Sequence, residues 1–519
     1  MDWKQQGRFI DQVAGQAERR SGVRQVHGAA WVAAWPSPVP APALLAADAR
    51  IARRLGLSDT LIADPGLLQV LSGSALYAGM TPWAANYGGH QFGHWAGQLG
   101  DGRALSLGEL ADINGDGWEI QLKGAGPTPF SRNGDGRAVL RSSLREYLCS
   151  QAMAALGVPT TDALCLLTTG TAVVRDVLYD GHPRPEPGAI VCRVARSFLR
   201  FGSLQLPASR GDAALLQALL DFTIARHYPA LAGVADPAAA LLAQVARASA
   251  ELVAHWQRVG FVHGVLNTDN LHLAGLTIDY GPFGWMEAFD PGYTPNTSDT
   301  GHRYCFAAQP AMVRWNLAAL AQALSLISPD AQALADGLQV YDRQLAACRL
   351  RDAGAKLGLA GDSAALQLQH RWEALMARAK LDMSLAYRAL ARVRSDNALA
   401  STPSLLLAAA ATDPAALSAQ LEALSAWLTD YRDAVAGQGA EPARRMAAMH
   451  AVNPWLVPRN WLLHQAAEAA ATGDSGPLLR LQQALQQPYV EDAQLADLVA
   501  PCPPGLLRQP GCSLLSCSS

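Results

Sequence analysis

The stretch Gly260–Gly284, GFVHGVLNTDNLHLAGLTIDYGPFG, limits the fold of this chain more than any other. Its two apolar triplets, Leu271–Leu273 and Leu276–Ile278, read as short strands hung between polar turns. Asn270 and Asp279, two groups able to bind a metal ion, stand at the ends, and Asp279-Tyr280-Gly281 follows the second triplet directly. An ordinary hairpin with Asp and Asn in its turns explains the stretch equally well when it is taken alone.

The spacing has a chemical reading. Kinase-like folds hold a divalent ion on nucleotide phosphates with a catalytic-loop Asn and an Asp-aromatic-Gly motif. His263 opens such a loop here, and Asn270 follows seven residues later, as in protein kinases. The position of the catalytic Asp is Val265, which cannot accept a proton from a hydroxyl. The metal site is kept while the usual base is lost, unless Asp269 stands in for it.

Upstream segments favour the chemical reading. Asn86-Tyr87-Gly88-Gly89-His90-Gln91-Phe92-Gly93, then Leu99-Gly100-Asp101-Gly102-Arg103, would let backbone N–H groups approach an anion; no Gly-Lys-Ser/Thr ends it, so it is not a Walker A loop. Trp118–Lys123 alternates as a strand with Trp118, Ile120 and Leu122 on one face and Lys123 on the other. After Asp135-Gly136-Arg137, the repeat Leu140, Leu144, Leu148, Ala152, Leu156 predicts a helix stopped by Gly157 and Pro159. Glu146 lies off that stripe. A strand Lys followed by a helix Glu is the kinase order, although each residue by itself reads as a solvated surface charge. Ala189–Val194 is a further strand carrying Arg193, and Arg200 follows in Ser197–Gly202. Arginines seven apart need not share a face; both are able to clamp phosphate, and a pair of surface charges is the plain alternative.

With 519 residues, 50% hydrophobic and 16% charged, the chain is globular. A net charge of −3 leaves no footprint for nucleic acid. No run of about 18 apolar residues spans a membrane, and an N-terminus with Asp2, Asp11 and Glu18 but no apolar segment points to the cytoplasm. The eight cysteines form no Cys-x-x-Cys pair, which argues against zinc. Cys149, Cys165 and Cys192 read as buried thiols. Cys512 and Cys517, in the Ser-rich tail, are expected to be mobile and accessible, either redox-active or idle. Residues 213–231 and 238–259 look helical, Leu252, Val253 and Trp256 giving the second an apolar face. From about 311 to 500 come Ala/Leu-rich helices with breaks near Pro329, Gly358, Pro403, Pro414, Gly437 and Pro454.

Four blocks, NYGGHQFGHWAGQLGDGRA, QLKGAGPTPFSRNGDGRAVLRSSLREYL, RVARSFLRFG and FVHGVLNTDNLHLAGLTIDYGPFGW, resemble selenoprotein O and the YdiU-type pseudokinases, which act as protein adenylyltransferases. The resemblance is strongest from about 80 to 310. It implies an α+β, protein-kinase-like two-lobed fold: an extension over 1–80, an N-lobe over 81–205, a C-lobe over 206–345, and a helical region with a Cys-containing tail over 346–519. It also implies an inverted ATP whose AMP passes to a Ser, Thr or Tyr hydroxyl of a target protein, or UMP from UTP. Nucleotide contacts would fall on Gly100, Gly102, Arg103, Lys123, Asp135, Gly136, Arg193, Arg200 and Asp279. Asn270 and Asp279 would hold Mg²⁺ or Mn²⁺, Asp269 would accept the proton, and Glu146 would partner Lys123. A conventional kinase or a silent nucleotide-binding scaffold are the alternatives. Two positions depart from the family: Phe198 replaces a common His, and Pro295 replaces a Cys that some members bridge to the C-terminal Cys, here Cys517, which leaves Cys305 as a nearby substitute.

Overall fold

The structure is a computed structural model that describes residues 8–20, 22–57, 64–178, 180–394 and 402–516. Its centre is a sheet of β1 (Gly15–Gln16), β2 (Trp31–Ala33), β3 (Ala43–Ala47), β4 (Trp83–Ala85), β7 (Ala104–Ala111), β8 (Gly117–Lys123), β9 (Ala138–Val139), β10 (Asp162–Arg175) and β11 (Arg184–Ala195). The order is β1-β2-β4-β7-β8-β11-β10-β3, with β9 on β11. A separate hairpin, β5 (Gly88–Gln91) and β6 (His94–Gln98), and a short pair, β12 (Phe261–Val262) and β13 (Gly284–Trp285), complete the strands named among the described residues. Residues 1–80 do more than wrap the body: they supply β1 to β3, and β3 forms the edge beside β10.

Alternation along β8 splits the sheet into two chemistries. Ile120 and Leu122 pack with Ile51, Leu67, Leu71 and Leu107, and Trp118 packs against the same core. Glu119, Gln121 and Lys123 face the other way and are buried as well. On that side lies the helix Leu140–Ala155, whose predicted stripe is buried throughout, and which ends where Gly157 turns left-handed. This helix is enclosed, with β10 and β11 on one side and the helix Asn460–Ala471 on another. Enclosure is why Lys123 and Glu146, each read as a surface charge, are buried here. Arg193 and Arg200 are buried too, so the pair of surface charges is corrected in the same way.

Helices Ala213–His227 and Pro237–Val259 form as expected, with Leu252, Val253 and Trp256 buried. The helical region that follows has its breaks near the predicted residues; the one near Gly437 falls at Gln438, where Gly439 caps the helix Leu421–Gln438. Pro403 and Pro414 each begin a helix, where a missing N–H costs nothing. No described helix is long and apolar enough to cross a membrane.

Two further expectations are corrected. Leu271–Leu273 and Leu276–Ile278 do not pair as strands; each segment bridges to a different neighbour, His272 to Arg200 and Thr277 to Thr160. Hydrogen bonds from Leu273 N to Leu199 O (3.0 Å) and from Thr277 N to Pro159 O (2.9 Å) take up the backbone groups that a hairpin would have used. The tail is not loose at Cys512, which is fully buried. Leu515 stitches it to the 295–297 segment, accepting from Thr297 N at 2.7 Å and donating to Pro295 O at 3.2 Å. Cys517 lies outside the described residues. Cys149, Cys165 and Cys192 are buried free thiols, as expected, and Cys305 is a half-buried free one.

Candidate active site

A cleft of about 840 Å³ opens between the polar face of the sheet and the loops around Asn270 and Asp279. Gly100, Gly102, Arg103, Lys123, Asp135, Gly136, Arg193, Arg200, Asp269, Asn270 and Asp279 all line it. Glu146 is the one proposed site residue that does not; it stands behind Lys123.

The centre of the cleft is an ion network. Lys123 Nζ donates to Glu146 Oε2 and lies 3.8 Å from Asp279 Oδ1. Arg193 Nη1 donates to Asp279 Oδ1 at 2.6 Å and to Glu146 Oε1 at 3.2 Å. Arg200 Nη1 donates to Asp279 Oδ2 and, at 3.0 Å, to the Asp269 carbonyl. The two arginines seven apart therefore meet on one carboxylate, because β11 ends between them and the chain turns into the helix Phe201–Ser209. Burial by itself would raise the Asp279 pKa, but Arg200, Arg193 and Lys123 outweigh it and hold the carboxyl well below its ordinary value. Burial pushes Lys123 below the usual lysine range despite Glu146 and Asp279.

Behind these groups stand residues that sequence reading passed over. Asp101 accepts from Tyr87 Oη (3.2 Å), Ala85 N (3.3 Å), Gln121 Nε2 (3.3 Å) and Arg200 Nη2 (3.4 Å). Gln121 in turn accepts from Arg193 Nη2 through its Oε1. Asp101 and Gln121 thus fix the guanidinium planes from behind, and the Arg200 guanidinium also stacks 4.5 Å over the Tyr87 ring. The signal for Gln121 was present, since it shares the Lys123 face of an alternating strand; Asp101 sat inside the quoted glycine motif. Arg175 carried no such signal. It lies forty residues from Asp135 and clamps both of its oxygens at 2.7 and 2.8 Å.

The glycines are fixed by packing. A Cβ on Gly100 would lie 2.3 Å from the Phe130 ring, and one on Gly102 would lie 2.8 Å from the Phe130 carbonyl. The 128–131 turn therefore closes directly onto this loop, and Ser131 Oγ bonds the Gly102 carbonyl.

On the opposite wall, Asn270 Nδ2 donates to the Val265 carbonyl at 2.9 Å, which leaves its oxygen for another partner. Asn270 and Asp279 offer one amide and one carboxylate oxygen donor set. No cluster of three or more His, Cys, Asp or Glu side chains suited to a metal occurs among the described residues. A two-ligand set of hard oxygens fits an ion that takes its remaining ligands from phosphates and water, as Mg²⁺ does. Asp269 is buried beneath the β5–β6 hairpin: Gln91 Nε2 reaches its Oδ2 at 3.3 Å, while Oδ1 has no hydrogen-bond partner among the described residues. Burial raises its pKa to about 6.

Comparison with known proteins identifies the family. The sequence matches the family described as Protein adenylyltransferase SelO over residues 25–486. It is 52% identical over 515 residues to a protein from Xanthomonas campestris pv. campestris strain B100 named Protein nucleotidyltransferase YdiU, covering 99% of this chain and 98% of that one. Relatives with the same name from Xanthomonas axonopodis pv. citri and Xanthomonas oryzae pv. oryzae strain MAFF 311018 are 50% and 49% identical at the same coverage. The chain belongs to the SelO family of protein adenylyltransferases.

Proposed function

We propose that this protein transfers AMP from ATP to Ser, Thr or Tyr hydroxyls of target proteins and releases pyrophosphate, in a kinase-like two-lobed fold divided near residues 80, 205 and 345. The observation that carries the reading is Asp279, held ionised by Arg193 and Arg200 beside the Lys123–Glu146 pair, while Val265 occupies the place of the kinase base. The acceptor oxygen attacks the α-phosphorus, and the bond from that phosphorus to the oxygen bridging the β-phosphate breaks. Lys123, Arg193 and Arg200 neutralise the phosphate charge, and the fixed network spares the site from reorganising as charge shifts. Asp269 takes the hydroxyl proton, and its place in the cleft lining supports that role. Asn270 and Asp279 would hold Mg²⁺ or Mn²⁺, which supplies charge neutralisation on the phosphates. UTP is a second donor to be tried.

Intact-mass measurement after incubation with ATP, metal and an acceptor protein is the test. Added AMP is the expected result. Added phosphate would establish a conventional kinase with Asp269 as base, and nucleotide binding without any adduct would establish a scaffold.

A further inference from the structure

Arg145 is fully buried in the helix Leu140–Ala155, one residue before Glu146, and no carboxylate lies within ion-pair distance of it among the described residues. Burial lowers its pKa to about 10. A buried cation without an anion is costly, so ion-pair energy does not account for its place in the core.

Its contacts point elsewhere. Arg145 Nη2 donates to the Phe283 carbonyl at 2.7 Å, and Nη1 donates to Asn460 Oδ1 at 3.3 Å. The guanidinium carbon lies 4.3 Å above the Phe283 ring. Phe283 is four residues past Asp279, at the end of a turn in which its N–H bonds the Gly281 carbonyl at 2.9 Å. Asn460 opens the helix Asn460–Ala471, which packs on the far side of the Arg145 helix. One side chain thus touches the loop after Asp279 and the C-terminal helices, from the helix that carries Glu146.

We propose that Arg145 is a positioning residue for the transfer reaction: gripping Phe283 by carbonyl and ring, and Asn460 by its amide, it sets Asp279 in register with the Lys123–Glu146 pair. This rests on the adenylyl-transfer reading. It assigns the C-terminal helices a part in the site, because they anchor one prong of the fork. Lys cannot reproduce it, since an ammonium lacks the planar pair of donors.

The test compares wild type with Arg145→Met and Arg145→Lys, reading thermal unfolding together with kcat and KM for ATP. In Arg145→Met the Phe283 carbonyl and Asn460 Oδ1 lose this donor, so a modest fall in melting temperature is expected and kcat is read per folded molecule. Its kcat is expected to fall about a hundredfold, the effect of a small misplacement of reacting groups, while KM for ATP stays within about twofold because the cationic grip is intact. Arg145→Lys should lie between the two. Wild-type kcat in Arg145→Met, or a loss of kcat matched by a loss of fold with no recovery in Arg145→Lys, overturns the proposal. If only Arg145→Lys folds, a lower kcat at unchanged KM supports it and a wild-type kcat overturns it. Should wild type transfer no AMP, the adenylyl-transfer reading fails by itself. Mn²⁺ binding in the presence of ATP, read by electron paramagnetic resonance, then decides: weaker binding in Arg145→Met supports the positioning role, and equal binding overturns it.

Discussion

Two buried arginine–carboxylate networks can be set side by side in this protein. In the helical region, Arg459 donates to Asp382 and, at 3.3 Å, to Glu287 and the Met286 carbonyl. Both of its carboxylates also serve the backbone: Asp382 caps the helix Met383–Leu390 by accepting from Leu385 N at 2.8 Å, and Glu287 accepts from Cys502 N at 3.2 Å. In the cleft, Asp279 accepts from Arg193 and Arg200 and, among the described residues, from no backbone N–H. A carboxylate that caps backbone is used by folding. One held by cations alone, on the wall of a cavity, owes its ionisation to those cations.

That contrast is open to direct attack. Asp279→Ala should lower AMP transfer by at least ~10³-fold, since it would remove the proposed metal carboxylate and untie both arginines; a labelling rate near wild type would sink the assignment. Arg459→Met should do the reverse, leaving Asp382 and Glu287 as buried anions at a cost of about 3–5 kcal/mol in chemical denaturation, with activity per folded molecule unchanged. Glu146→Gln should fall between these extremes, losing about a hundredfold in kcat as Lys123 loses its orienting partner, with little change in melting temperature.

A pH profile separates the two faces of β8. Burial raises the Glu119 carboxyl from 4.5 to about 8, beside Ser106, Glu109 and Asp101. The folded state then binds the proton more tightly than the unfolded chain, so stability falls as pH rises from about 4.5 to 8. The slope reaches at most about 1.4 kcal/mol per pH unit. Glu119→Gln should flatten that part of the melting-temperature profile, and an unchanged slope would show that Glu119 is already ionised at low pH.

Period-two alternation put Lys123 on the polar face, and the four-residue stripe placed the helix of Glu146, because both patterns record local packing. Burial of those same charges was not legible, since the Asn460–Ala471 helix that encloses them lies more than three hundred residues away. The same limit explains Leu271–Ile278: two apolar triplets look alike whether they pair with each other or with distant segments. It also explains Cys512, where a serine-rich composition carries no trace of the 295–297 partner. Arg193 and Arg200 became a pair only through the turn after β11. Asn270 and Asp279, placed by a spacing motif, lie on the cleft wall that this motif implies.

The late pairings, Asn460 with Arg145 and Leu515 with the 295–297 segment, have a consequence for synthesis. A chain leaving the ribosome exposes Lys123, Glu146 and Asp279 well before the residues that brace them have been translated. The groove acquires its outer support only after residues 460–515 have emerged, so until then the growing polypeptide carries an unbraced site.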